Sequence, residues 1–231
     1  MKIFFVDTET TGLGKDDKIC EVAYIHVDDD LNVISHSTSL INPGRPISAG
    51  AGAINGITDA MVAEAQTIED YMAGDGSAMV DDDVLIVGHN IAFDMKYLGQ
   101  HLPESVKTLC TVKCARHIYP DAENHKQATL AYMLGLTTDR SKAHSADGDI
   151  EVLIQIVERM MRDAGVDFAG LLAIQDIPVK ITKMNFGMHR GMKLEELPAS
   201  YVRWCLEDYK ALKPDMRQAL LDMKAAKHHH H

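Results

Sequence analysis

Ile3-Phe4-Phe5-Val6-Asp7-Thr8-Glu9-Thr10-Thr11-Gly12 is an apolar run that ends in two carboxylates. On an extended backbone residues i and i+2 share a face, so Asp7 and Glu9 stand side by side. Paired carboxylates at a strand end can hold a divalent cation through oxygen ligands, which suits Mg²⁺ or Mn²⁺. One Asp-x-Glu means little in an acid-rich chain. Here two further segments follow in order, Gly88-His89-Asn90-Ile91-Ala92-Phe93-Asp94 and His144-Ser145-Ala146-Asp147-Gly148-Asp149.

Together the three segments resemble the DEDDh exonucleases, a 3′→5′ branch of the RNase H-like superfamily. The motifs of that family read D-x-E-T-T-G, H-N-x-x-F-D and H-x-A-x-x-D, and all three are matched without a substitution. The resemblance runs from about Lys2 to Arg162 and takes in Asn42–Ser48 and Ile54–Val62. Where many relatives carry His, this chain has Asn55, a departure expected to affect loop packing more than chemistry. The resemblance implies two Mg²⁺ (or Mn²⁺) ions held by Asp7, Glu9, Asp94 and Asp149. Asp7 would bridge both ions, Glu9 and Asp149 would complete one site, and Asp94 would support the other. It also implies that His144 is the general base and that DNA 3′ ends are hydrolysed to nucleoside 5′-monophosphates.

Those roles are chemically coherent. Two metals supply charge neutralisation, a nucleophile and help for the leaving oxygen in phosphodiester hydrolysis. Imidazole titrates near neutral pH and can take the proton. Asp94 and Asp149 fall near helix N-termini, where the macrodipole favours an ionised carboxylate. His89 reads as a turn-positioning residue. The backbone of Thr10, Thr11 and Gly12, together with Asn90, is expected near the terminal nucleotide. Leu13 either wedges against the terminal base, as in the family, or packs on the core, and Phe93 either stacks on a base or packs inward. Arg140 and Lys142 either meet phosphates or are ordinary loop charges. RNA is an alternative polymer, since nothing in the chain reads a 2′-hydroxyl unambiguously. A non-catalytic binding module is a rival of another class, and the intact set Asp7, Glu9, Asp94, His144 and Asp149 argues against it.

Elsewhere, Lys2–Asp7, Ile19–Val27 and Val33–Ile41 read as an antiparallel meander, and Val84–Val87 as a strand buried on both faces. Helices are expected at Thr58–Glu64 and Thr67–Ala73, capped by Thr58 and Thr67. Others are expected at Ile91–Leu102, capped by Asn90, and at Thr111–Tyr119, Lys126–Leu134 and Ala146–Arg162. In the last of these, Ile150, Leu153, Ile154, Val157 and Met161 form a core stripe at helical spacing. The expected class is α/β, an RNase H-like mixed sheet flanked by helices, with a small α+β C-terminal appendage. The expected boundaries are an exonuclease domain over 1–168, a linker over 169–178 and a basic module over 179–227. The last four residues, His228–His231, read as a tag remnant.

Charge is uneven. Residues 1–177 hold 13 Lys+Arg against 28 Asp+Glu, a net of −15, whereas 178–227 hold 10 against 6, a net of +4. An acidic protein is an odd partner for a polyanion, because phosphate binding is driven by Lys and Arg. Bound divalent cations would supply part of what the acidic part lacks; the basic segment either supplies the rest through phosphate contact or is a stabilising or protein-binding appendage. In that segment Gly187 and Gly191 flank a basic turn with His189 and Arg190, read as a hairpin. Tyr201 and Trp204 at i and i+3 are expected to form a small core. The segment is similar to a small module found at the end of one branch of the family and in some stand-alone proteins. The four scattered cysteines lack zinc spacing and read as free thiols in a reducing compartment. No secretory signal or membrane-length apolar run is visible, so a cytoplasmic location and no membrane partner are expected.

Overall fold

A computed structural model of the protein describes residues 1–136 and 146–228. It divides into two compact units, Met1–Ile177 and Pro178–His231. The first is built on β1 (Lys2–Thr10), β2 (Ile19–Val27) and β3 (Val33–Leu40). Helices α1 (Ala49–Asn55), α2 (Asp59–Val62) and α3 (Ile68–Ala73) follow. Next come β4 (Val84–Gly88), α4 (Ala92–Leu98), β5 (Lys107–Cys110), α5 (Thr111–Ile118) and α6 (Gln127–Met133). The long α7 (Ala146–Ala164) and α8 (Phe168–Gln175) complete the unit.

The strand order is β3-β2-β1-β4-β5. The meander pairs antiparallel, while β4 and β5 run parallel to β1, which gives the expected mixed sheet. Period-two alternation divides the core into two layers. Ile3 and Phe5 face one layer with Leu85, Val87 and the apolar side of α7. Phe4 and Val6 face the other with Ile86 and Leu98 of α4. The odd-numbered face of β1 therefore looks toward α7, and α4 covers the opposite side.

Thr58 and Thr67 accept hydrogen bonds from Met61 and Asp70 amides, as N-caps do. Several expectations need correction. Strand β1 runs on through Glu9 and Thr10, so both carboxylates lie within the paired strand and not beyond its end. Helix α4 is shorter than Ile91–Leu102, and Asn90 makes no side-chain cap; it adopts a left-handed φ of 65° immediately before the helix. In α7 the fully buried stripe is Ile150, Leu153, Ile156, Val157 and Met160, with Ile154 and Met161 at its border. Strand β5 and helix α1 were not legible, one being four residues with an exposed Lys107, the other glycine-rich. Within the stretch expected as a linker, where a helical turn was expected at Phe168–Ala173, helix runs over Phe168–Gln175. Phe168 and Leu171 are buried in the core, and the Gln175 amide bonds both the Cys110 N–H and the Thr108 carbonyl.

The second unit holds an antiparallel bridge between Lys183 and Lys193, then α9 (Ala199–Glu207) and α10 (Pro214–His228). The turn between the bridged residues closes with Met184 N–H to Met192 O at 2.8 Å and Gly191 N–H to Met184 O at 2.7 Å. Its core consists of Met184, Leu194, Leu197, Val202, Cys205, Leu212, Met216 and Leu220. Tyr201 only borders this core and Trp204 is 42% exposed, contrary to the small aromatic core expected.

Candidate active site

The C-terminal half of β1 carries the acidic pair. Its strand is hydrogen-bonded on both sides, and Ile3–Val6 are at most 1% exposed, so the backbone under Asp7 and Glu9 is fixed. Helix α7 crosses the same face and brings Asp149 from its first turn. Oxygen atoms of Asp7, Glu9 and Asp149 all lie within 4.8 Å of one another. Asp94 reaches the strand from the other layer. Its Oδ1 accepts from the Thr8 amide at 3.0 Å and from the Thr8 hydroxyl at 2.7 Å, and the residue is 3% exposed. Segments separated by up to 142 positions in the sequence thus converge on one strand end.

Like charges so placed repel, and burial strips their water. Burial first, then Asp94, Glu9, Asp149 and Glu21, hold the Asp7 carboxyl well above its ordinary value. Glu9 is pushed up to about 7 by burial, then by Asp149 and Glu21, against a hydrogen bond from Asn55. Asp94 is raised to about 7 by burial, against the two Thr8 hydrogen bonds. A cluster of this kind is relieved either by protons or by cations. The donors are carboxylate oxygens alone, with no soft sulfur or imidazole in the set, which fits a hard divalent cation.

Two neighbours of the cluster escaped the sequence reading. Glu21 lies directly across from Glu9 in the β1–β2 register. A like-charge cross-strand pair is unfavourable without a reason. Here Glu21 Oε2 accepts from the Ala146 amide at 3.1 Å, which caps the first turn of α7 and ties it to β2. Burial and the charges of Asp147 and Asp149 raise Glu21, opposed by that amide. A carboxylate in the otherwise apolar Ile19–Val27 run was the available signal. Asn55 is the second. Its Nδ2 lies 3.4 Å from the Thr10 carbonyl, and it hydrogen-bonds Glu9, so its influence extends beyond loop packing.

The remaining expectations divide. Thr10 and Thr11 are buried, and their groups are engaged internally: Thr11 N–H with Lys18 O, Thr11 Oγ1 with Asp17, and Thr10 Oγ1 with Gly12 O. Leu13 is 83% exposed and does not pack on the core. Its loop is braced, because Lys96 Nζ and the Tyr97 hydroxyl of α4 both donate to Gly14 O, at 3.1 and 3.2 Å. Phe93 is half-buried edge-on against Tyr97, whereas Asn90 is exposed. His89 donates from Nε2 to His125 O and meets Thr111 Oγ1 through Nδ1, both at 2.8 Å, which leaves neither nitrogen for chemistry. His144, Arg140 and Lys142 lie outside the described residues. Among the described residues no helix is long and apolar enough to cross a membrane.

Comparison with known proteins gives a consistent answer. Residues 4–157 match the RNase_T exonuclease family. Exodeoxyribonuclease 10 of Escherichia coli (strain K12) is 29% identical over 221 residues, covering 93% of this chain and 95% of that protein. A DNA polymerase III subunit epsilon-like protein of Rhodobacter capsulatus is 33% identical over 172 residues. That match covers 69% of this chain, which spans only 24% of the Rhodobacter protein. Among solved structures, exonuclease X in complex with 5′-overhanging duplex DNA superposes with a TM-score of 0.63 at 29% identity. It covers 75% of this chain and 99% of its own. The fold, the three acidic segments and these similarities agree: the chain belongs to the RNase_T exonuclease family, the DEDDh 3′→5′ exonucleases that its motifs resembled.

Proposed function

We propose that the chain is a metal-dependent exodeoxyribonuclease that hydrolyses DNA from the 3′ end to nucleoside 5′-monophosphates by two-metal-ion catalysis. The observation that carries this reading is the meeting of the Asp7, Glu9 and Asp149 oxygens within 4.8 Å, with Asp94 anchored beside them on Thr8. Two Mg²⁺ or Mn²⁺ ions, when bound, supply charge neutralisation at phosphorus, a nucleophile at neutral pH and stabilisation of the leaving oxygen. Asp7, Glu9, Asp94 and Asp149 would hold them. Preference for DNA draws support from the similarity to exodeoxyribonuclease 10 along nearly the whole chain, and from the DNA-bound relative.

The chain's own residues do the rest. Thr8 fixes the Asp94 carboxylate in one orientation through two hydrogen bonds. Glu21 anchors the helix start that presents Asp149. Leu13 presses on the terminal base, a reading supported by its exposure on a loop pinned by Lys96 and Tyr97. His144 accepts the proton of the attacking water, a role that rests on its place in the third motif. The deciding experiment is side-by-side digestion of 3′-labelled single-stranded DNA, duplex DNA and RNA, with and without Mg²⁺. Mg²⁺-dependent release of labelled deoxynucleoside 5′-monophosphate is the expected result. Faster release from RNA would reassign the polymer, and internal cuts or no release would reject the reading.

A further inference from the structure

The second unit carries an aromatic row that packs on its own core through Phe186, Tyr201 and Tyr209 but leaves Trp204 outside. Five rings form a continuous ladder. Phe186 stacks on Tyr209 (5.0 Å, 23°) and Tyr209 on Trp204 (5.1 Å, 28°). Trp204 leans on Tyr201 (5.5 Å, 33°), and His189 meets Tyr201 edge-on (4.4 Å, 71°). The buried core of this unit is supplied by eight aliphatic and sulfur side chains, yet Trp204 stays 42% exposed. The basic turn is drawn onto the rings at Gly187. There φ is +67°, where a side chain is strained, and an added Cβ would sit 2.4 Å from the Tyr201 hydroxyl oxygen, which would have to move.

Three cations and one anion, Asp208, adjoin ladder residues in the sequence. Arg190, Arg203 and Lys210 each adjoin a ladder residue in sequence, are exposed, and make no ion pair among the described residues. The segment 178–227 is net +4 in a protein that is net −11. Near-parallel rings with unpaired Lys and Arg around them match a polyanion that also offers flat apolar faces. We infer that the Phe186–Tyr209–Trp204–Tyr201 ladder and its flanking cations bind single-stranded polynucleotide by base stacking. Phosphate attraction alone would need only the charges, and duplex DNA hides its base faces. The inference deepens the nuclease reading in its choice of ligand, but needs no catalysis.

Trp204 is the chain's one tryptophan, so its fluorescence reports this face alone. The test uses the full chain in EDTA, titrated with a thymidine oligonucleotide, with blunt duplex DNA and with heparin. The oligonucleotide should quench emission saturably, while heparin and duplex leave it nearly unchanged. With a labelled oligonucleotide, Trp204→Leu should weaken binding about 5- to 150-fold, as loss of one stacked base does. Heparin affinity should be unaltered, and Trp204→Phe should recover most of the loss. Arg203→Ala and Lys210→Ala should instead each flatten the dependence of log K on log salt by about 0.7. Unmoved emission at saturating oligonucleotide, equal quenching by heparin or duplex, or emission that tracks protein concentration without DNA would each overturn the inference. The last would assign the face to a second copy of the chain. Should Trp204→Leu fail to fold, the quenching arm on the unaltered protein decides alone. With no divalent cation and no hydrolysis in the assay, failure of the active-site reading would leave its outcome unchanged.

Discussion

Replacing Asp94 by Asn should stabilise the metal-free protein while inactivating it. The Asn side chain keeps an Oδ1 able to accept both Thr8 hydrogen bonds, so geometry is conserved and only charge is removed. Burial raises the Asp94 pKa from 3.8 to about 7. A shift of about three units corresponds to roughly 4 kcal/mol, and at 3% exposure little of it is lost to solvent screening. A buried amide carries a smaller desolvation cost of its own, so a net gain of about 2–3 kcal/mol is expected, or roughly 5–10 °C in Tm for a unit of this size. The pH dependence fixes the cause. A carboxyl with a raised folded pKa stabilises the fold below its unfolded value, and that contribution is lost as pH rises through the folded value. Because the amide cost is present at every pH, the variant should melt slightly below wild type near pH 4, overtake it between pH 4 and 7, and exceed it most at pH 8. Mg²⁺ at pH 8 should raise the wild type more than the variant, because ligand binding stabilises only the state that holds it. Thermal melts in EDTA and in Mg²⁺ at the three pH values provide the measurement. A variant no more stable than wild type at pH 8, or one whose advantage persists at pH 4, would refute the reasoning.

Asp7→Ala should leave less than about a hundredth of wild-type turnover in Mg²⁺, a barrier increase above roughly 3 kcal/mol, with the fold intact by circular dichroism. His144→Asn should lose about 10²–10⁴-fold in kcat with Mg²⁺ affinity nearly unchanged, and should flatten the acidic limb of the pH–rate profile; a limb that persists would assign it to another group. Leu13→Ala should leave the unfolding free energy within about 0.5 kcal/mol of wild type, since the side chain is 83% exposed, yet slow digestion of duplex ends more than of single strands; equal slowing would remove the wedge role. Glu21→Ala should cost about 1 kcal/mol through the lost cap on α7 and lower kcat, whereas Glu21→Gln, which can still accept from Ala146, should restore much of both.

The strand–acid segments were legible because their signals are local. Alternation of Phe4 and Val6 against Ile3 and Phe5 requires only a two-residue period, and Asp-x-Glu on that period fixes which face the carboxylates share. Helix α7 was equally plain, expected over Ala146–Arg162 and found over Ala146–Ala164; Ile150, Leu153 and Val157 of its expected stripe are buried, while Ile156 and Met160 take the places given to Ile154 and Met161, since only packing separates residues so equally apolar. Glu21 was missed, and Asn55 assigned to loop packing alone, for a different reason. Their roles arise from partners 125 and 46 positions away, Ala146 and Glu9, and no periodicity encodes such meetings. Strand β5 is a related case. Four residues with Lys107 and Thr108 carry too little apolar signal, and the parallel register with β4 supplies what the sequence lacks. The second unit misled in the opposite direction. Tyr201 and Trp204 have the spacing of a core pair, but smaller side chains fill that core and leave the indole outside.

The position of the acids on β1 has an energetic logic. A crowded set of carboxylates destabilises whatever backbone carries it, so it persists only where the surrounding structure over-determines the geometry. Strand β1 is the one strand paired antiparallel on one side and parallel on the other, and both its faces are covered. Burial of Ile3, Phe4, Phe5 and Val6 contributes roughly 1.5–3 kcal/mol each, which together exceeds the few kcal/mol lost at the acids beyond them. An edge strand such as β3, whose Val33 and Ile34 are more than half exposed, could not bear that load. Repulsion that the apolar segment absorbs in the metal-free state becomes affinity for a cation, because relieving it is part of what binding gains. Any substitution that loosens Phe4 or Phe5 should therefore weaken Mg²⁺ binding as well as the fold.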